Sequence, residues 1–308
     1  MDGHDPRFNG TGIATGAVRY SDLGYLIAIH DAAAEGHSGS VLFTLDRGTW
    51  GAGAVDWTAC SGTVCHVPAE RYLALGTDGS VRASGGGVVK EEAPIASCGV
   101  DPRERGPLRE IRGIAQGRAY AVGAGRQAYL REGDGQWRCI DPSAQHGGVP
   151  VVDASFESID GFSEQEIYAV GWEGEIWQYD GDRFIQRTSP TDLALHKVRC
   201  APDGHAYACG QSGTLLRGRH DRWEIIGHDS TREDLWGMEC FGGHLYVSST
   251  RFVYRLEHGR LQPVDFGDDT PGTCHHLSAA DGLLWSIGAK DLMAFDGEGG
   301  KRVLHIGR

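Results

Sequence analysis

Short apolar runs of four to six residues, broken by glycine and aspartate, recur along the chain. The clearest unit is ESIDGFSEQEIYAVGWEGEIWQYDGDRFIQR, Glu157 to Arg187. Apolar and polar positions alternate in it over lengths too short for helices, and each run ends in a turn signal. That pattern predicts β-strands joined by tight turns, four to a unit, in an antiparallel meander.

The unit repeats. Tyr120-Ala-Val-Gly123 and Tyr168-Ala-Val-Gly171 are identical, and Tyr207-Ala-Cys-Gly210 differs at one position. Looser copies begin at Leu26, Leu73, Tyr246 and Trp285, so successive steps are 47, 47, 48, 39, 39 and 39 residues. A second marker, an acidic or glycine-rich turn before a large apolar residue, ends at Trp50, Trp137, Phe184 and Trp223, with weaker forms at Val88, Leu261 and Val303. Two markers advancing together through seven units of about forty residues predict an all-β, seven-bladed β-propeller with mostly four-stranded blades. The expected organisation is a lead-in over 1–12 and one propeller domain over 13–308. Its blades fall near 13–57, 61–92, 108–140, 156–187, 193–226, 235–264 and 273–306. The aromatic residues of the second marker are expected between blades.

Composition agrees with this reading. Glycine is 47 of 308 residues, about twice the usual share, as many tight turns require. The net charge of -13 disfavours nucleic acid and anionic lipid and admits a basic protein partner. Met1 is followed by DGHDPRFNG, without a basic and then apolar leader, so no secretory signal is expected. No apolar stretch reaches the roughly twenty residues of a spanning helix. The expected compartment is therefore the cytoplasm, with the eight cysteines as free thiols. Were a leader removed in maturation, Cys60 and Cys65 would be the plausible local disulfide.

Candidate chemistry lies in the loops. In a four-stranded meander the turn between the second and third strands returns to the end where the first strand begins. Residues Arg126, Trp172, Glu173, Arg251 and Lys290 follow the YAVG-like segments, and Trp236 precedes an inner strand. Variable loops on a regular scaffold suit a binding face, and tryptophan and arginine concentrate interface energy. The connections Ala93–Pro107 and Ile140–Pro150 are expected at its rim. A polar pocket using His196, His275 and Glu173 as acid or base is the enzymatic alternative. No HExxH, GxSxG or Cys-x-x-Cys motif accompanies it. His275 and His276 are adjacent on a strand and point to opposite faces, so no metal is expected there. No cofactor is expected. Sugar binding is a third reading, but a stacking tryptophan does not recur from blade to blade.

The run GWEGEIWQYDGDRF, Gly171 to Phe184, with YAVG before it, resembles the blades of bacterial seven-bladed propellers of the WD40-like, BNR-like and photosystem-assembly-factor-like group. The resemblance covers most of 108–288. The sialidase Asp-box is not matched, and GDGQW at Gly133 to Trp137 is a fragment of it. The terminal Gly-His and Trp-Asp pairs of WD40 repeats are also missing. Some members of this group resemble immunity or accessory proteins beside bacterial toxins. The expectation is a non-catalytic protein-binding propeller, monomeric when free, that masks a toxin or effector.

Overall fold

The computed structural model describes residues 5–31, 39–95, 102–141 and 154–306. Seven four-stranded antiparallel sheets, each with its strands in consecutive order, form the blades of a seven-bladed β-propeller. They run from Thr11 to Val55, Ala59 to Glu91, Leu108 to Cys139, Phe156 to Arg187, Leu195 to Ile225, Gly237 to Pro263 and His276 to His305. The expected number of blades and of strands per blade holds. No helix is long and apolar enough to cross a membrane among the described residues. The chain divides into two compact units, Met1–Ala59 with Gly227–Arg308 and Cys60–Ile226. The first holds blades one, six and seven, and the second holds blades two to five.

In the second unit the apolar faces of neighbouring blades meet in three clusters. Tyr129 and Leu73 belong to the one joining blades two and three, Phe184 and Tyr120 to the next, and Tyr168 and Leu216 to the last. Trp137 and Trp223 pack against two of them. The recurring aromatic of the fourth strand thus lies between blades. In the first unit Trp50 and Phe43 pack with Trp285 and Leu304 of blade seven.

Part of the lead-in belongs to this core. Phe8 is fully buried and stacks on Phe43 with ring centroids 3.8 Å apart. From the sequence, part of this lead-in could be expected to seal the ring, but a single apolar residue in a polar stretch carries no period that marks Phe8.

Innermost strands leave one edge without a ladder partner, and a buried N–H there needs an acceptor. Side chains of the preceding blade supply it. Ser61 Oγ and Thr63 Oγ1 accept from the amides of Ile111 and Gly113 at 3.1 and 2.9 Å. Glu110 Oε2 accepts from Ile159 N at 2.9 Å. Ser158 Oγ and Asp160 Oδ2 accept from Val198 N and Cys200 N at 3.1 and 2.9 Å. In the first unit Ser278 Oγ does the same for Val18 N at 3.0 Å.

Glu110 anchors a buried ionic network. Its Oε1 accepts from Lys197 Nζ at 2.8 Å and from Arg199 Nη2 at 3.3 Å, and its Oε2 also accepts from Ser158 Oγ at 2.6 Å. Burial alone would raise this carboxyl, but Lys197, Arg199 and the two side-chain hydrogen bonds hold it well below the usual carboxylate range.

The glycine of the YAVG-like segment has a steric cause. A Cβ on Gly171 would lie 1.7 Å from Ser155 O, on Gly210 2.0 Å from Ala194 O, and on Gly288 2.1 Å from Thr273 O. In these blades the backbone entering the first strand crosses against the end of the second. Gly171 has φ -168°, so it is close approach and not a left-handed conformation that selects glycine there.

Among the described residues the cysteines are free thiols, as expected, except Cys139. Cys60 and Cys65 are free, so the local bridge between them is not formed. Burial pushes the Cys60 and Cys209 thiols up to about 12, which makes them poor nucleophiles at neutral pH. Cys139 is disulfide-bonded.

Two stability changes follow. Gly171→Ala forces a buried backbone apart and is expected to lower unfolding free energy by about 1–3 kcal/mol, read by urea denaturation. Glu110→Ala strands the buried Arg199 and is expected to cost about 3–5 kcal/mol. Because Glu110 is depressed in the fold, its contribution is present above about pH 4.3 and is lost as pH falls toward its folded value. The variant should accordingly lose less stability than the parent over that acid limb.

Candidate functional site

The turn after the YAVG segment of blade four is a single 3-10 turn, Trp172–Gly174. It is fixed by backbone bonds from Trp172 N to Ser155 O at 3.2 Å and from Glu175 N to Trp172 O at 3.1 Å. Glu173 takes a left-handed conformation, φ 55° and ψ 27°. Gly174 is also left-handed, and a Cβ on it would lie 2.2 Å from Thr191 O. Blade five repeats the turn with Gln211–Gly213. There the first side chain is used internally, Gln211 Oε1 accepting from Ala194 N at 3.0 Å. Tryptophan at the equivalent position of blade four has no such use and is 39% exposed.

Beneath Trp172 lies a cavity of about 430 Å³ lined by Arg126, Trp172, Glu173, Glu175 and Arg187 among others. The fold therefore brings Arg126, Trp172 and Glu173, named from the sequence, to one place. Arg126 Nε donates to Glu175 Oε2 at 2.7 Å, and its guanidinium stands over the Trp177 ring, 5.3 Å from the centroid. Trp177 Nε1 donates to the same Oε2 at 2.9 Å. Glu175 is 7% exposed, and its Oε1 has no hydrogen bond. Burial raises its carboxyl above the ordinary value, against the lowering effects of Trp177 and Arg126. Arg187 is held by Gln178 Oε1 at 3.0 Å and Asp221 Oδ1 at 2.7 Å.

The other candidates belong to the first unit. Arg251 Nε donates to Glu233 Oε1 at 2.9 Å, and its guanidinium stands over Phe252. Arg251 in turn lowers the Glu233 carboxyl. Trp236 and Phe252 are 38% and 50% exposed. Lys290 Nζ donates to both Asp31 carboxylate oxygens at 2.9 and 2.8 Å and to Thr11 O at 2.8 Å. All three candidate cations are thus already ion-paired within the chain.

Of the alternative acid–base residues, His196 and Glu173 belong to the second unit and His275 to the first. Burial lowers the His275 imidazole below its ordinary value. Among the described residues no three His, Cys, Asp or Glu side chains are placed to hold a metal ion. The expected rim connections fall largely on 96–101 and 142–153, outside the described residues.

Sequence reasoning missed Glu175, Trp177, Leu193 and Phe252. A signal for Glu175 existed. The residue at or immediately before the start of the third strand reads Ser40, Ser80, Gln127, Glu175, Thr214, Phe252 and Asp291, polar in six of seven blades.

No protein-family model matches the chain. Over 298 residues it is 47% identical to immune protein Tsi7 of Pseudomonas aeruginosa, across 94% of this chain and 96% of that protein. Among solved structures, YCF48 from Cyanidioschyzon merolae superposes with a TM-score of 0.68 at 12% identity, covering 96% of this chain and 97% of that one. The WD40 β-propeller domain of Doa1 gives 0.66 at 13% identity, with 98% and 94% covered. YCF48 bound to D1 peptide gives 0.66 at 13%, with 93% and 91% covered. At such identities these likenesses bear on the fold, where the expected WD40-like and photosystem-assembly-like resemblance holds.

Arg126→Ala removes the cation beside a buried carboxylate. Stability is expected to fall by about 1–3 kcal/mol at neutral pH. The Glu175 carboxyl, already raised in the fold, should rise further, so the added loss grows as pH climbs above the parent's folded value, itself higher than the ordinary value of about 4.3. Urea midpoints of parent and variant between acid and neutral pH measure the divergence.

Proposed function

The chain belongs to the family of immune protein Tsi7, and from that premise we propose that it is an immunity protein. In this reading it binds another protein, a toxin or effector, and masks it without catalysing a reaction. The carrying observation is the 47% identity that spans 94% of this chain and 96% of the relative. We place the action in the cytoplasm and take the free protein as one monomeric propeller domain.

The charge supports a basic partner. Forty-two acids against 29 lysines and arginines leave -13, a field that speeds capture of a positively charged surface. The proposed contact residues are Arg126, Trp172 and Glu173 in one unit and Arg251, Trp236 and Lys290 in the other. Each set lies where a second-to-third-strand turn or the entry to a first strand ends. Exposed Leu193 and Phe252 fall at the same kind of position. Since the three cations are already paired, the aromatic side chains carry more of the expected energy. Burying Trp172 or Trp236 removes apolar area without breaking an ion pair.

The test is affinity for the protein recovered with this chain from its native extract, measured by calorimetry on variants first shown to fold. Trp172→Ala is expected to cost about 2 kcal/mol or more, roughly a thirtyfold loss. Arg251→Ala should act more on the association rate and its salt dependence. Unchanged binding by folded Trp172→Ala, Trp236→Ala and Arg251→Ala would remove this surface from consideration.

A further inference from the structure

We propose that the cavity beneath Trp172 receives a lysine or arginine side chain of the partner protein, with Glu175 as its buried counter-ion. This inference rests on the protein-binding reading above and specifies the chemistry of one contact.

The site already holds one cation in this manner. The Arg126 guanidinium lies over the Trp177 ring and donates to Glu175 Oε2, which Trp177 Nε1 also reaches. The second oxygen, Glu175 Oε1, is buried and makes no hydrogen bond, and Glu175, Trp172 and Glu173 all line the cavity. An indole beside a carboxylate is a favourable place for an ammonium or guanidinium group. A cavity of about 430 Å³ has room for such a side chain.

The equivalent residues of other blades sharpen the contrast. Ser40 Oγ accepts from Ala59 N, Gln127 Nε2 donates to Gly106 O, and Asp291 Oδ2 accepts from Gly272 N. Each uses its polar group to hold backbone near the start of an inner strand. Glu175 has half of its carboxylate free of any such task. Burial raises that carboxyl despite Arg126 and Trp177, so its charge is under-compensated and a second cation would offset it.

The opposite assignment, an anion held by Arg126 and Arg187, is the competing chemistry. Both guanidiniums are engaged, with Glu175 and with Gln178 and Asp221 respectively. An incoming carboxylate would also meet Glu173 and leave Glu175 Oε1 unsatisfied.

The experiment uses the free chain and small probes: butylammonium, butylguanidinium, butyrate and butanol. Binding is read from the Trp172 indole resonance and from crystals soaked with each probe. Ligands of this size are expected to bind with about millimolar dissociation constants. The cations should shift the indole saturably and lie against Glu175, while butyrate and butanol should not. Glu175→Gln, of similar shape and without charge, should weaken butylammonium at least about tenfold. Saturable butyrate binding strengthened by Glu175→Gln would overturn the proposal, as would equal binding of butanol. Absence of any saturable cation shift up to about 100 mM, well beyond the expected range, would overturn it too. These readouts involve no partner protein. Failure here with partner binding still sensitive to Trp172→Ala removes the cation pocket alone, and the reverse result removes the protein-binding surface alone.

Discussion

The unpaired edge of each inner strand is the constraint on which the structure depends. A meander satisfies its own amides inward from that edge, but the edge itself faces the neighbouring blade, away from water. Ser61, Thr63, Glu110, Ser158, Asp160 and Ser278 resolve this by accepting from the next blade's backbone. A hydroxyl or carboxylate is required, because an apolar residue would leave a buried N–H unsatisfied at about 1–3 kcal/mol each. The same bonds set which residue of one blade opposes which residue of the next. The aromatic clusters outside them can then be close-packed.

Glu110 shows why this solution is demanding. Its carboxylate serves a backbone amide, a serine, a lysine and an arginine at once. Arg199 is almost wholly buried, and a guanidinium in that position is tolerable only beside a charge. The network therefore fixes blades three, four and five against one another more than it adds net stability. Such a scaffold leaves the turns at the strand ends free to differ, as Trp172-Glu173-Gly174 and Gln211-Ser212-Gly213 do on one backbone shape.

At those turns the structure changes the meaning of the residue types. Arginine and lysine in loops suggest free charge waiting for a partner. Here Arg126, Arg251 and Lys290 are each neutralised by Glu175, Glu233 and Asp31. The surroundings of each are thus pre-organised and less cationic than the residue types imply. The open features are exposed aromatic rings, the Glu173 carboxylate and one buried oxygen of Glu175.

The sequence by itself determined the seven blades, the four strands in each and the positions of the turns. These are local properties, for alternation, turn glycines and a step of 39 to 48 residues need no distant partner. It marked Gly171 as part of a motif that ends in glycine in five of the seven units, and Trp172 as an unusual residue in a turn. It could not say that Gly171 is small because the Ser155 carbonyl crosses it, or that Phe8 completes a core with Phe43. Nor could it pair Glu175, whose position reads as polar in most units, with Arg126 49 residues away, or Lys290 with Asp31 across 259 residues. Tertiary structure alone decided those contacts. Which polar groups are buried, and which of them find a counter-charge, depends on how the side of one blade meets the side of another.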